Sequence, residues 1–100
     1  MLQKDRNGYS ESLFDTTDGT CYLCGFVGDT ARHEIFHGAN RKLSKAFGLW
    51  IAVCPICHTR IHQEDNGEYL WLKEEGQERY ENYYNIDHEE FRILFGRNYL

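Results

Sequence analysis

The chain is short of several things: it has one proline, one methionine, no long apolar run and no overall excess of positive charge. With no stretch near the roughly 20 apolar residues a spanning helix needs, no membrane role is expected. The first residues carry no apolar signal-peptide segment, so a cytoplasmic, reducing location is expected. There, four cysteines arranged in pairs suit a metal better than two disulfides. A net charge of −5 argues against a generally basic nucleic-acid binder. Forty-one per cent apolar residues in 100 allow only a modest core, so a chain of this size is expected to need a staple.

The staple is visible in the cysteine spacing. Cys21-x-x-Cys24 and Cys54-x-x-Cys57 are two matching pairs separated by 29 residues. Each two-residue gap lets a pair wrap one side of a tetrahedral ion, so a closed structural Zn²⁺ site is expected. Cys54-x-x-Cys57-His58 also spells a haem-attachment motif. That reading leaves Cys21 and Cys24 without a role, and Met1 is a poor distal ligand.

Histidine is concentrated in the same region, four of five lying between His33 and His62. On a helix opening at Pro55, His58 and His62 stand i, i+4 on one face, a spacing suited to a second, more exposed metal. His33 and His37 fall at the end of an expected strand. An imidazole on a strand, facing a metal on a helix, suits phosphodiester hydrolysis: one takes a proton from water, the other stabilises the phosphate and the leaving oxygen. Charge follows the same partition. Residues 31–62 hold Arg32, Arg41, Lys42, Lys45 and Arg60 against Glu34 alone, whereas residues 1–30 and 63–100 are net −3 and −6. The five cations are therefore candidate phosphate contacts.

In chain order, residues 1–20 read as a loose polar arm from which Leu13 and Phe14 tuck against the body. Cys21 to Gly25 reads as a knuckle, and alternation over 31–36 predicts a strand. Gly38 to Asn40 ends it. Leu43 and Phe47 at i, i+4 before Gly48 predict a short helix. The run Leu49 to Val53 predicts a second strand, and a helix follows from Pro55 to about Glu64, breaking at Asn66-Gly67. Residues 68–84 predict a helix whose apolar face holds Tyr69, Leu72, Tyr80, Tyr83 and Tyr84, widened by Leu70 and Trp71 and weakened by Gly76. Asp87 with Glu90 resembles a capping box for a last helix burying Phe91, Leu94 and Phe95 and ending at Gly96.

Strand, loop, strand and helix with histidines at both ends resemble the HNH, or His-Me finger, nucleases. The segments His33 to Phe36, Gly38, Ala39 to Lys42, Phe47-Gly48-Leu49 and Cys54 to His58 are similar to the small phage and prophage branch, over roughly residues 21–62. The tail from Glu90 to Leu100 is similar to the same branch. The resemblance implies an α+β fold: a small zinc-stapled ββα-metal core with additional C-terminal helices, as one domain over 21–100 (core 21–65, extension 66–100). It implies a DNA endonuclease of bacterial or phage origin, with DNA and a phage or host protein as partners. It implies structural Zn²⁺ on Cys21, Cys24, Cys54 and Cys57, and a catalytic Mg²⁺, Mn²⁺ or Zn²⁺ on His33, His58 and His62. Where the family commonly has its histidine base, this chain has Glu34. Glu34, His33 and His37 stay open as the base, and Asn40 is the one candidate for the family's asparagine. The alternative expectation is a zinc-ribbon-like binding module without a catalytic metal, acting through DNA or protein contacts.

Overall fold

Glycine 48 shows how this chain closes on itself. In the computed structural model, which describes residues 5–64 and 67–100, Gly48 has φ +73°. A Cβ there would lie 2.2 Å from the Glu11 carbonyl oxygen. Both the backbone conformation and the close approach of the N-terminal segment therefore require glycine. Gly48→Ala is expected to cost about 2 kcal/mol or more, read as a fall in thermal midpoint. An unchanged midpoint would mean that residues 9–13 do not hold this position in solution.

The architecture is α+β. Strand β1 (Ala31–Glu34) pairs antiparallel with β2 (Trp50–Val53), in the register Ala31 to Val53 and Glu34 to Trp50. Between them lie a 3-10 turn (Gly38–Asn40) and helix α1 (Arg41–Ala46). Helices α2 (Pro55–Gln63), α3 (Leu70–Tyr84) and α4 (His88–Phe95) follow. No helix among the described residues is long and apolar enough to cross a membrane.

Helix α2 starts where Cys54 and Pro55 place it: the Cys54 Sγ accepts from the Cys57 N–H at 3.4 Å, and proline occupies the first turn, where a missing N–H costs nothing. The expected break at Asn66-Gly67 falls partly outside the described residues, which exclude Asn66.

The first strand is shorter than the alternation over 31–36 suggests. Ile35 still donates to the Leu49 carbonyl, but Phe36 turns to Ser44, whose hydroxyl both accepts from its N–H and donates to its carbonyl. His33 to Phe36 are all buried, because β1 packs against α2 on one side and α1 on the other.

Residues 9–17 are not a loose arm. Ser10 donates its N–H to the Lys45 carbonyl and Leu13 to that of Gly48. The Trp50 indole donates to the Ser10 carbonyl, and the Thr16 hydroxyl accepts from the Ala52 N–H. These polar residues cover the free edge of β2, and Phe14 is buried in the core. A sequence without apolar periodicity carries no sign of such docking.

Phe36 joins the C-terminal helices to this core, its ring 5.5, 5.1 and 5.4 Å from those of Phe91, Phe95 and Tyr99. Helix α3 meets it through Gly76, where a Cβ would be 3.1 Å from Ile35 and 3.3 Å from Phe36. The glycine that weakens the helix thus permits its close approach. The inner face of α3 is Leu72, Gly76, Gln77, Tyr80 and Glu81, whereas Leu70, Trp71 and Tyr83 are exposed. Gln77 is fully buried because Asn98 and Glu81 accept from its amide and the Tyr99 N–H donates to it. In α4, Asp87 caps the Glu90 N–H as expected and Phe91 and Phe95 are buried, but Leu94 is 40% exposed.

Candidate metal centre

Two groups of donor atoms flank the start of α2. The four sulfurs of Cys21, Cys24, Cys54 and Cys57 lie within 4.8 Å of one another, and none forms a disulfide. Cys24 Sγ and Cys54 Sγ are 3.8 Å apart. Zn–S bonds of about 2.3 Å in a tetrahedron put sulfurs about 3.8 Å apart, so the spacing fits that ion. The knuckle also fits: the Gly25 N–H donates to the Cys21 carbonyl, and Gly25 takes φ +79°.

The electrostatics of the cluster call for a cation. Burial raises the Cys57 thiol, and its neighbours Cys54, Cys24 and Cys21 push it further, to about 12. Burial also raises Cys21, but backbone N–H groups of Cys54, Cys24 and Leu23 outweigh it and draw this thiol down to about 6. The Cys21 thiolate is favoured here and that of Cys57 is not, unless a positive ion shares it.

The second group is imidazole. A ring nitrogen from each of His33, His58 and His62 lies within 4.8 Å of the others. His33 comes from β1 and is 3% exposed; His58 and His62 stand one turn apart on α2, their Nε2 atoms 3.0 Å apart. The ring centroids are 5.5 Å (His33 to His58), 5.4 Å (His33 to His62) and 4.6 Å (His58 to His62) apart. Burial holds His33 neutral, its pKa lowered to about 3, with His37, His58, His62 and Lys73 adding to the effect. Burial and then His62 lower His58. Neutral imidazole is the form that ligates, and three such donors can hold one cation and leave a position open.

These rings open into a cleft of about 320 Å³ whose walls also include Tyr9, Glu34, His37 and Arg41. His37 stands at the rim, its ring 5.2 Å from that of His33 and 6.0 Å from that of His62. Burial and then the Lys73 ammonium lower its pKa. Glu34 is buried and accepts from Arg41 Nε at 2.6 Å.

Not every expected site residue is free to act in this cleft. Asn40 is not among the side chains lining the cleft; its amide donates to the Phe95 carbonyl at 2.7 Å, closing the end of α4. Nor do the five cations form one surface. Arg32 lines the cleft but is held by Asp18 at 2.7 Å and Asp5 at 3.1 Å, with its guanidinium against the rings of Tyr9 and Trp50. Arg60, two residues from both His58 and His62, lies on another face of α2 beside Ile56. Lys42 is exposed on α1, and Lys45 sits over the Tyr9 ring at 4.7 Å. Arg41 alone of the five reaches the cleft with a largely exposed side chain.

Two residues around the histidines have no local sequence signal. Tyr9 arrives from the N-terminal segment. Lys73 comes from the acidic C-terminal extension and lines, with His33 and His37, a recess next to the cleft. Comparison with protein-family models, curated proteins and solved structures finds no match to this chain.

Proposed function

We propose that the chain is a metal-dependent endonuclease of the HNH, or His-Me finger, type that hydrolyses DNA phosphodiester bonds. The observation that carries this reading is the convergence of His33 from a strand with His58 and His62 from a helix, beside a separate four-cysteine group. Strand, strand and helix would then form a ββα-metal core stapled by structural Zn²⁺ on Cys21, Cys24, Cys54 and Cys57. His33, His58 and His62 would hold the catalytic divalent ion, which, when bound, supplies charge stabilisation at the scissile phosphate and the leaving 3′ oxygen.

The protein groups divide the rest. Arg41 at the mouth of the cleft binds phosphate. His37 takes the proton from the attacking water: it faces the cleft as a neutral imidazole, whereas Glu34 is already committed to Arg41. Glu34 then orients Arg41.

Nicking of supercoiled plasmid tests the reading. The wild-type chain should nick only when Mg²⁺ or Mn²⁺ is added, and retention of DNA without nicking would mark a non-catalytic zinc module instead. In the same assay His37→Ala is expected to lose about 100-fold or more and Glu34→Gln about 10-fold or less. The reverse order would move the base to the carboxylate.

A further inference from the structure

The cations that reach the histidines come from opposite ends of the sequence pattern. Arg41, on α1, lines the cleft together with His33, His37, His58 and His62. Lys73, on α3, lines the adjoining recess, and His33 and His37 belong to both walls. Arg32 lines the same cleft but is paired with Asp18 and Asp5, so the cations left for a ligand around the histidines are Arg41 from the basic segment and Lys73 from the acidic extension.

The remaining cations of that extension are engaged. Arg79 pairs with Glu75 at 3.0 Å, Arg92 pairs with Glu89, and the Arg97 guanidinium lies over the Tyr99 ring at 4.8 Å. Lys73 has no carboxylate partner among the described residues: its Nζ lies 5.8 Å from the centroid of the Tyr99 ring, and its charge is felt at both His33 and His37. Among the described residues the one carboxylate lining its recess, Glu64, accepts from the Tyr69 N–H at 2.6 Å.

From this placement we infer that the DNA strand crosses the cleft from Arg41 to Lys73, so that the acidic extension supplies a phosphate contact on the far side of the histidines. The inference rests on the nuclease reading and adds a direction to it. It also assigns Lys73 a substrate-binding role that net charge conceals: residues 63–100 are net −6, yet Lys73 lines the recess beside the cleft with His33 and His37. Such a contact holds the strand's register without reading its sequence.

Binding of a short fluorescein-labelled duplex, followed by anisotropy across a salt series, tests the path in the His58→Ala background, where cleavage does not intervene. Each phosphate contact contributes about 0.9 to the slope of log affinity against log salt. Lys73→Gln should lower the slope by about that amount, so that a fourfold rise in salt weakens the variant about 3.5-fold less than its parent. Arg41→Gln should do the same, Lys73→Arg should restore the parent slope, and Arg60→Gln should leave it unchanged. If Lys73→Gln keeps the parent slope while Arg41→Gln lowers it, the path is overturned and the nuclease reading stands. If the wild-type chain neither binds nor nicks DNA, both are overturned.

Discussion

Cys54→Ser should leave the chain largely unfolded at room temperature, with collapsed amide dispersion and loss of bound zinc. Cys54 stands where β2 ends and α2 begins, and its sulfur both caps the helix and faces Cys24 from the knuckle. With Zn²⁺ bound, Cys54 and Cys57 would tie residues 21–24 to the strand–helix junction, and removing Cys54 would open that four-sulfur site. Structural zinc in small domains contributes about 10–16 kcal/mol of apparent binding free energy, comparable with the whole stability of a domain, about 5–15 kcal/mol. The loss is therefore not offset by a core this small. Chelation of the wild-type protein should produce the same spectrum. A well-dispersed amide spectrum from metal-free protein would show that the cysteines are not a folding staple.

His58→Ala should abolish metal-dependent nicking, by about 1,000-fold or more, while zinc content stays at the wild-type value. His58 follows Cys57, yet its half-exposed ring groups with those of His33 and His62 and not with the four sulfurs. Its thermal midpoint should therefore move by only a few degrees, corresponding to about 1 kcal/mol or less. His33→Ala should abolish nicking too, but at a larger cost in stability, about 1–3 kcal/mol, because that ring is buried in β1. Equal cleavage by His58→Ala and wild type would remove the histidine triad from the mechanism.

What the sequence made legible was what depends on neighbours in the chain. The cysteine pairs, the apolar run of β2, proline at the start of α2 and the Asp87 cap are local patterns, and the structure contains each. What depended on the third dimension was not legible. Proximity along residues 31–62 suggested one basic surface, but a two-residue step on α2 turns Arg60 away from the histidines, and Asp5 and Asp18 claim Arg32 from outside the segment. The inner face of α3 includes buried Gln77 and Glu81, polar residues that apolar periodicity assigns to solvent. Asn40 looked catalytic from its place between two histidine clusters and instead closes a helix more than fifty residues away. Tyr9 reaches the cleft, and Lys73 the recess beside it, through packing that no local motif announces.

The claim on which the functional account rests is that three histidines form one cation site distinct from the four-cysteine site. Titration of the zinc-loaded protein with Mn²⁺, followed by the histidine ring resonances, tests it directly. Substoichiometric Mn²⁺ should broaden His33, His58 and His62 first, leave His88 sharp, and release no zinc. Broadening of His88 before the triad, or displacement of zinc without broadening of the triad, would contradict the account.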